Sequence, residues 1–338
     1  MYSCRIERHS ISAHTGTELL TYVITFPRIV LAETVTHRMN SDTWGEGFST
    51  CERTTTPDIS KNSASSRAIP HDRFIQRINE DPYVPEWSGK AKGMQGSVVE
   101  RSLMSDADKV WLDARDDMLD YAVALNDLGI HKQDSNRLLE PWAWVTQVVT
   151  STEWDNFFAL RCHHMAHPAF RKIARMMYLA RLDSKPDVLE YGQWHLPFYD
   201  RQVEFRWESH RHKIHGVGGL QPPLLVSAAR CAWVSYENHD KDASFDAVLR
   251  TCERLVGERP VHASPFEHQG TPGFPYEFAP ESKISNFGSN FRNWIQLRKL
   301  IPLERTAHYN PPPAELGTWP EYHEWLATKS SPHSTPKS

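Results

Sequence analysis

The residues best equipped for chemistry in this chain sit in a few short polar runs. Ser60-Lys61-Asn62-Ser63-Ala64-Ser65-Ser66-Arg67 puts hydroxyls, an amide and a guanidinium into one stretch. Such a run can wrap an anionic oxygen cluster, with the arginine presenting a planar fork to phosphate. It is equally the composition of a solvated turn. In "DNFFALR" (155–161), Asn156 and Leu160 lie four apart and share a helix face, with Arg161 one position on. An amphipathic core helix would show the same pattern. "HASPFEH" sets His262 and His268 around Pro265 and Phe266. "CHHMAH" places His163 and His167 four apart, as helical metal ligands can be, but the glutamate of HExxH is missing. No metal is expected, and a zinc protein built on that run is the minor alternative. The chain has no G-x-G-x-x-G, no P-loop and no G-x-S-x-G elbow, which argues against Rossmann, P-loop and α/β-hydrolase chemistry.

Several runs together are more specific than any one. "THRMNS" (36–41), "SKNSASSR" (60–67), "NRLLEP" (136–141), "NFFALR", "SAARCAWVSY" (227–236) and "HASPFEH" resemble the flavin-dependent thymidylate synthase family. That family carries RHRxxSxNxxSxR, a later N-x3-LR helix and an HxSPFEH element. The likeness covers most of residues 18–305. The hallmark is split here: Ser41 completes its first half, Ser60 opens its second, and residues 42–59 are an insertion.

The resemblance implies an α+β fold with a helical layer on a mixed or antiparallel sheet, and a homotetramer whose sites are shared between subunits. It implies FAD as cofactor, NADPH and methylenetetrahydrofolate as co-substrates, and a pyrimidine nucleoside monophosphate as substrate. By motif position His37, Arg38, Asn62, Asn156, Leu160, Ser235 and His262 would contact FAD. Ser65, Arg67 and Arg137 would hold the nucleotide, chiefly its phosphate. Arg161 would bind and polarise the pyrimidine ring. The implied reaction is reductive methylation of dUMP to dTMP. C5 of uracil is a poor nucleophile, so orientation and stabilisation of an enolate-like ring would both help. The flavin supplies the hydride, so no cysteine nucleophile is needed.

Departures keep other readings open. Thr36, Ser63 and Glu33 stand where the family has Arg, Glu and Gln at nucleotide contacts. His167 and Trp233 replace a further Gln and Arg. The motif order is permuted, since "HASPFEH" follows the hallmark instead of preceding it. Gln296 and Arg298, in "NFRNWIQLRK", stand where the common form has its RHR segment, and are candidates to bind nucleotide where Thr36 cannot. The alternatives are C5 methylation or hydroxymethylation of another nucleotide such as UMP or dCMP, and a catalytically inactive nucleotide-binding protein.

These residues need a core to hold them. The 338 residues are 39% hydrophobic and 24% charged, ordinary for a globular chain with room for about two units. The net charge of -4 excludes a duplex-coating role, so local arginines must carry any phosphate recognition. Neither a nucleic-acid nor a membrane partner is expected. Five scattered cysteines and no apolar N-terminal stretch point to a reduced, cytoplasmic protein.

Residues 18–32 are strand-prone with a break at Pro27, and 32–38 read as helix. The Ser-, Thr-, Gly- and Pro-rich stretch 41–70 reads as loop. Residues 98–128 read as a long helix with Val110, Ala114, Met118, Ala122 and Leu125 on one stripe, ended by Gly129. Helices are also expected over 131–150, in 152–164, over 169–182, from 223 and over 242–256. "HASPFEH" reads as a loop or strand edge, and 289–301 as a helix or strand–helix joint. The halves divide as 1–183 and 184–325, followed by a disordered tail, 326–338.

Overall fold

The computed structural model describes residues 1–34, 59–92, 96–199, 220–236, 244–257, 261–273 and 290–301. Residues 1–304 group as one unit. Thr36, His37, Arg38, most of the insertion and the tail lie outside the described residues.

The run "ELLTYVITFP" is buried at all but Glu18 and Thr25, and the structure uses both sides of it. Strand β2 (Glu18–Pro27) is central in a five-stranded sheet ordered β3-β4-β2-β1-β5. Its neighbours are β1 (Ser3–Ser12) and β4 (Trp144–Ser151), with β3 (Ser60–Ser63) and β5 (Asp187–Leu189) at the edges. All pairs are antiparallel except β1–β5. The fold is therefore α+β with a mixed sheet.

On one face Tyr22, Ile24, Phe26, Val145 and Val149 pack against α4 (Asp155–Arg161) and α5 (Pro168–Asp183). Helix α5 starts on Pro168, whose missing N–H costs nothing at a first turn. It buries Ala169, Phe170, Ile173, Ala174 and Met177, an i, i+3/i+4 ridge. Val23 and Val148 point to the other face, against Phe198, Cys231 and Val234. There α6 (Pro222–Trp233) packs on α7 (Phe245–Gly257) through Leu225, Val226, Ala229, Val248 and Cys252. A two-stranded ribbon, β6 (Gly270–Pro272) with β7 (Trp294–Gln296), comes close to β2: a Cβ on Gly270 would stand 2.9 Å from Leu19 Cδ2.

A third cluster joins α1 (His71–Glu80) and α2 (Arg101–Asp127) to the 3-10 turn Asn136–Trp142 through Phe74, Ile78, Leu119, Ala122, Leu139 and Trp142. Gly129, at φ +83°, closes α2 by donating to Asn126 O.

Four expectations need correction. The helix expected over 131–150 is a short helix α3 (Lys132–Ser135), the 3-10 turn through Pro141, and then strand β4. Val145, Thr146, Val148, Val149 and Thr150 are β-branched and fill both sheet faces, which a strand allows and a helix penalises. The loop expected over 41–70 contains β3, pinned by pairing to β4. Arg28–Thr34 forms a 3-10 helix where strand was expected to run on to 32 and helix to begin there. On α2, Val110 is 68% exposed and Ala114 is exposed, whereas Leu119 and Ala122 are buried. Periodicity offers several parallel ridges, and contact with α1 and the 3-10 turn selects one. Helix α1 is not among the elements expected from the sequence.

Candidate functional site

Strand β3 alternates its side chains. Asn62 pairs with Val148 and points to the α6 face, while Lys61 pairs with Val149 and points to the α4–α5 face. Beyond β3 the chain turns through Ser65 into a 3-10 helix, Ser66–Ala68. Ser65 N–H donates to Ser235 O at 3.1 Å, which ties the hallmark segment to the end of "SAARCAWVSY". These two segments both line an open cavity of about 810 Å³.

The β3 wall contributes Asn62, Ser63, Ser65 and Arg67, and the other wall Trp233, Ser235, Thr251, Arg254, His262 and Ser264. Arg28 also lines it, fixed by an ion pair to Glu140 at 3.0 Å and a bond to Ala64 O at 3.0 Å. No described carboxylate lines the cavity. Arg67 and Arg254 have no hydrogen-bond or ion-pair partner among the described residues. Asn62 is buried, yet its Nδ2 has no partner among them. Such a donor is costly unless something accepts from it. Glu140 also accepts from the Ser66 hydroxyl, and Gln147 donates to the Ser63 hydroxyl at 2.7 Å, so polar contacts behind the wall hold the run in place.

The structure thus gathers Asn62, Ser65, Arg67, Ser235 and His262 around one cavity. It does not bring the remaining described candidates there. Arg161 ends α4, on the opposite face of the sheet. It pairs with Glu33 at 3.2 Å and lies 5.2 Å over the Phe170 ring. Asn156 is half-buried and Leu160 54% exposed on the same helix. Arg137 is exposed and donates to Gln133 O at 3.0 Å. Gln296 is fully buried and donates to Glu267 O at 2.9 Å, Asn290 Oδ1 and Ser60 Oγ. Arg298 pairs with Glu267. Among the departures, Trp233 lines the cavity, whereas Glu33 holds Arg161.

Lys61, half-buried against Thr34 O, is pushed down to about 8 by desolvation. Arg161 bonds the neighbouring carbonyl of Glu33, so two cations cap one end of the 3-10 helix Arg28–Thr34. Burial pushes the described thiols Cys4, Cys162, Cys231 and Cys252 upward, Cys4 and Cys252 to about 12, so none is a ready thiolate. Among the described residues no group of three His, Cys, Asp or Glu could hold a metal, and no helix is long and apolar enough to cross a membrane.

Sequence reasoning did not single out Arg28, Thr251 or Arg254. Nothing local marks them; they become relevant only because folding sets their elements around the cavity.

Fold and site together define an α+β protein with an arginine-lined cavity at the edge of a mixed sheet. No family model and no curated protein matches the chain. Two solved structures of the UMP/dUMP methylase PolB from Streptomyces cacaoi, bound with 5-Br UMP and with 5-Br dUMP, are similar to it. Both are 13% identical over 54% of this chain, covering 88% and 90% of theirs, with TM-scores of 0.40 and 0.35. A likeness at those scores carries no argument about activity.

Proposed function

We propose that this protein is a flavin-dependent enzyme acting at C5 of a pyrimidine nucleoside monophosphate, with methylation of dUMP to dTMP as the leading reaction. The observation that carries this reading is the cavity wall. Arginines line it without a described carboxylate, in a chain of net charge -4, and Asn62 Nδ2, without a partner among the described residues, is buried in it. That arrangement suits an anionic ligand with carbonyl acceptors, and its volume is in the range of ligand pockets. The same features fit FAD, whose role when bound would be to supply the hydride.

On this reading Arg67 takes the nucleotide phosphate as a fork, and Ser65 adds a hydroxyl. Asn62, through Nδ2, would donate to FAD, the group its motif position implies. Arg28, paired with Glu140, holds the β3 end of the wall in place through Ala64 O. Arg161, Asn156 and Leu160 belong to the other sheet face. A homotetramer with shared sites would assign them to the cavity of a neighbouring copy, where Arg161 would polarise the ring and stabilise charge developing on it. Methylenetetrahydrofolate would donate the one-carbon unit and NADPH the electrons. UMP or dCMP as substrate is the second reading, favoured by Ser63 on the wall in place of the family's glutamate.

The test is the absorbance spectrum of the purified protein, before and after anaerobic NADPH and dUMP, followed by product mass with dUMP, UMP and dCMP in parallel. A flavin band that bleaches, with dUMP gaining a methyl group, supports the reading. A colourless protein that takes up no FAD but binds nucleotide would replace it with the inactive binding protein.

A further inference from the structure

A second cavity, of about 360 Å³, shares no lining residue with the first. Helix α1 turns Phe74 and Ile78, four apart, inward, and with Ile69 and Ala143 they give the cavity a buried apolar lining. Arg77, Glu80 and Asp81 line it too, three and four residues apart where the helix ends. Burial, and then the neighbouring Arg73, disfavour the charge on the Arg77 guanidinium, so an anion beside it is worth more than at an open surface. Trp144 Nε1–H donates to Asp81 O at 2.8 Å and Asp81 N–H to Arg77 O at 3.0 Å, which fixes Asp81 at the helix end. The Asp81 carboxylate takes the Met1 ammonium, and Glu80 accepts from Gln76 at 2.7 Å. On the sheet side the hydroxyls of Thr25 and Thr146 bond to one another at 3.1 Å. That bond uses one of their two protons and leaves the other to donate.

The donor set differs from that of the first cavity, which no described carboxylate lines. Here a guanidinium, two carboxylates and a hydroxyl donor surround an apolar lining. A ligand that meets all of them carries an anion, a cation and an apolar body. The volume is at the small end of ligand pockets, which run from about 300 to 1,000 Å³. We infer that this cavity is a separate binding site for a free α-amino acid with an apolar side chain. Its carboxylate meets Arg77 as a planar fork and accepts from the threonine hydroxyl. Its ammonium meets Asp81, with Glu80 beside it, and takes the place of the Met1 ammonium there. The partial negative charge at the C-terminal end of α1 favours that orientation. Its side chain lies against Phe74 and Ile78. None of this depends on which ligand the first cavity takes.

The experiment is calorimetric titration of the full-length protein with leucine, phenylalanine, isocaproate (leucine without its ammonium) and isoamylamine (leucine without its carboxylate). The proteins are wild type, Arg77→Gln, Arg77→Lys, Asp81→Asn and, as a control in the first cavity, Arg67→Gln. Leucine or phenylalanine should bind saturably, and both fragments more weakly than leucine. Removing one charge-assisted hydrogen bond corresponds to about a tenfold to hundredfold weakening. Arg77→Gln should weaken leucine by that factor and change isoamylamine by less than about twofold. Arg77→Lys should restore part of the affinity. Asp81→Asn should weaken leucine and leave isocaproate within about twofold. Arg67→Gln should leave leucine binding unchanged. No saturable binding of either amino acid at about 10 mM overturns the site, as does binding indifferent to both Arg77 and Asp81. Leucine binding lost in Arg67→Gln and kept in Arg77→Gln would put the ligand in the first cavity and overturn it as well.

Discussion

The two faces of the five-stranded sheet are buried by different chemistry. Toward α4 and α5 the contacts are aromatic: Tyr22, Trp154, Phe157, Phe158 and Phe170 meet edge to face or stacked, with centroids 5.0–6.0 Å apart. Toward α6 a hydrogen-bonded chain runs through the interior. His195 Nδ1 and Nε2 contact the hydroxyls of Ser10 and Thr21 at 2.9 and 2.8 Å. Thr21 contacts Thr150, and Thr150 contacts His268 Nδ1, each at 2.8 Å. All five residues are fully buried. The aromatic face stabilises by area and dispersion, which are not directional. The polar face is directional, and it fixes segments from distant parts of the chain against one another. The cavity opens on the directional face, where placement matters most.

The difference can be broken at either face. The largest effect is expected from Phe170→Ala, which opens a hole in the aromatic layer and should cost about 3–5 kcal/mol in urea unfolding. A cost under about 1 kcal/mol would show that this layer is not the main source of stability. Thr150→Val cuts the polar chain at its middle and takes from His268 Nδ1 its hydroxyl partner, while Thr21 keeps His195. It should cost about 1–3 kcal/mol, and a neutral result would mean the chain is not specifying the fold.

Acid should separate the faces further. Burial holds His268 at about 3 and His195 well below the ordinary imidazole value of 6.5. Both are neutral when folded and basic when unfolded, so their contribution is fully present above about pH 6.5 and is lost as pH falls toward 3. Glu18, held below the ordinary carboxylate value chiefly by the His9 ring 3.7 Å away and then by Arg181 at 2.9 Å, has the same sign at lower pH. Urea midpoints from pH 7.5 to 4 should fall, and His268→Gln should flatten that slope; an unchanged slope would remove His268 as its cause. The smallest effect on stability is expected at the cavity. Arg67→Gln should stay within about 0.5 kcal/mol of wild type, while dUMP binding weakens about tenfold to hundredfold. A destabilised variant would make Arg67 structural.

Much of this was legible in residue order. The periodicity of 169–182 gives α5, the apolar run from 223 gives α6, and Gly129 marks the end of α2. The polar run from Ser60 to Arg67 stands out in residue order for its hydroxyls, amide and guanidinium, and four of its polar side chains line the cavity. Strand β4 was not legible, because "WVTQVVTS" is apolar enough for either a helix or a strand until both of its neighbours in the sheet are known.

The sequence by itself determined which residue types could meet an anionic ligand, because hydroxyl, amide and guanidinium chemistry belongs to the side chain. Only the tertiary structure decided which of them meet. Asn62 and Arg67 face Ser235, Arg254 and His262 because strand alternation turns Asn62 toward α6. Arg161 stands behind the sheet because α4 packs its phenylalanines on the other side. A one-residue change in which way a strand presents its side chains would exchange those partners, and no local signal in the chain records that choice.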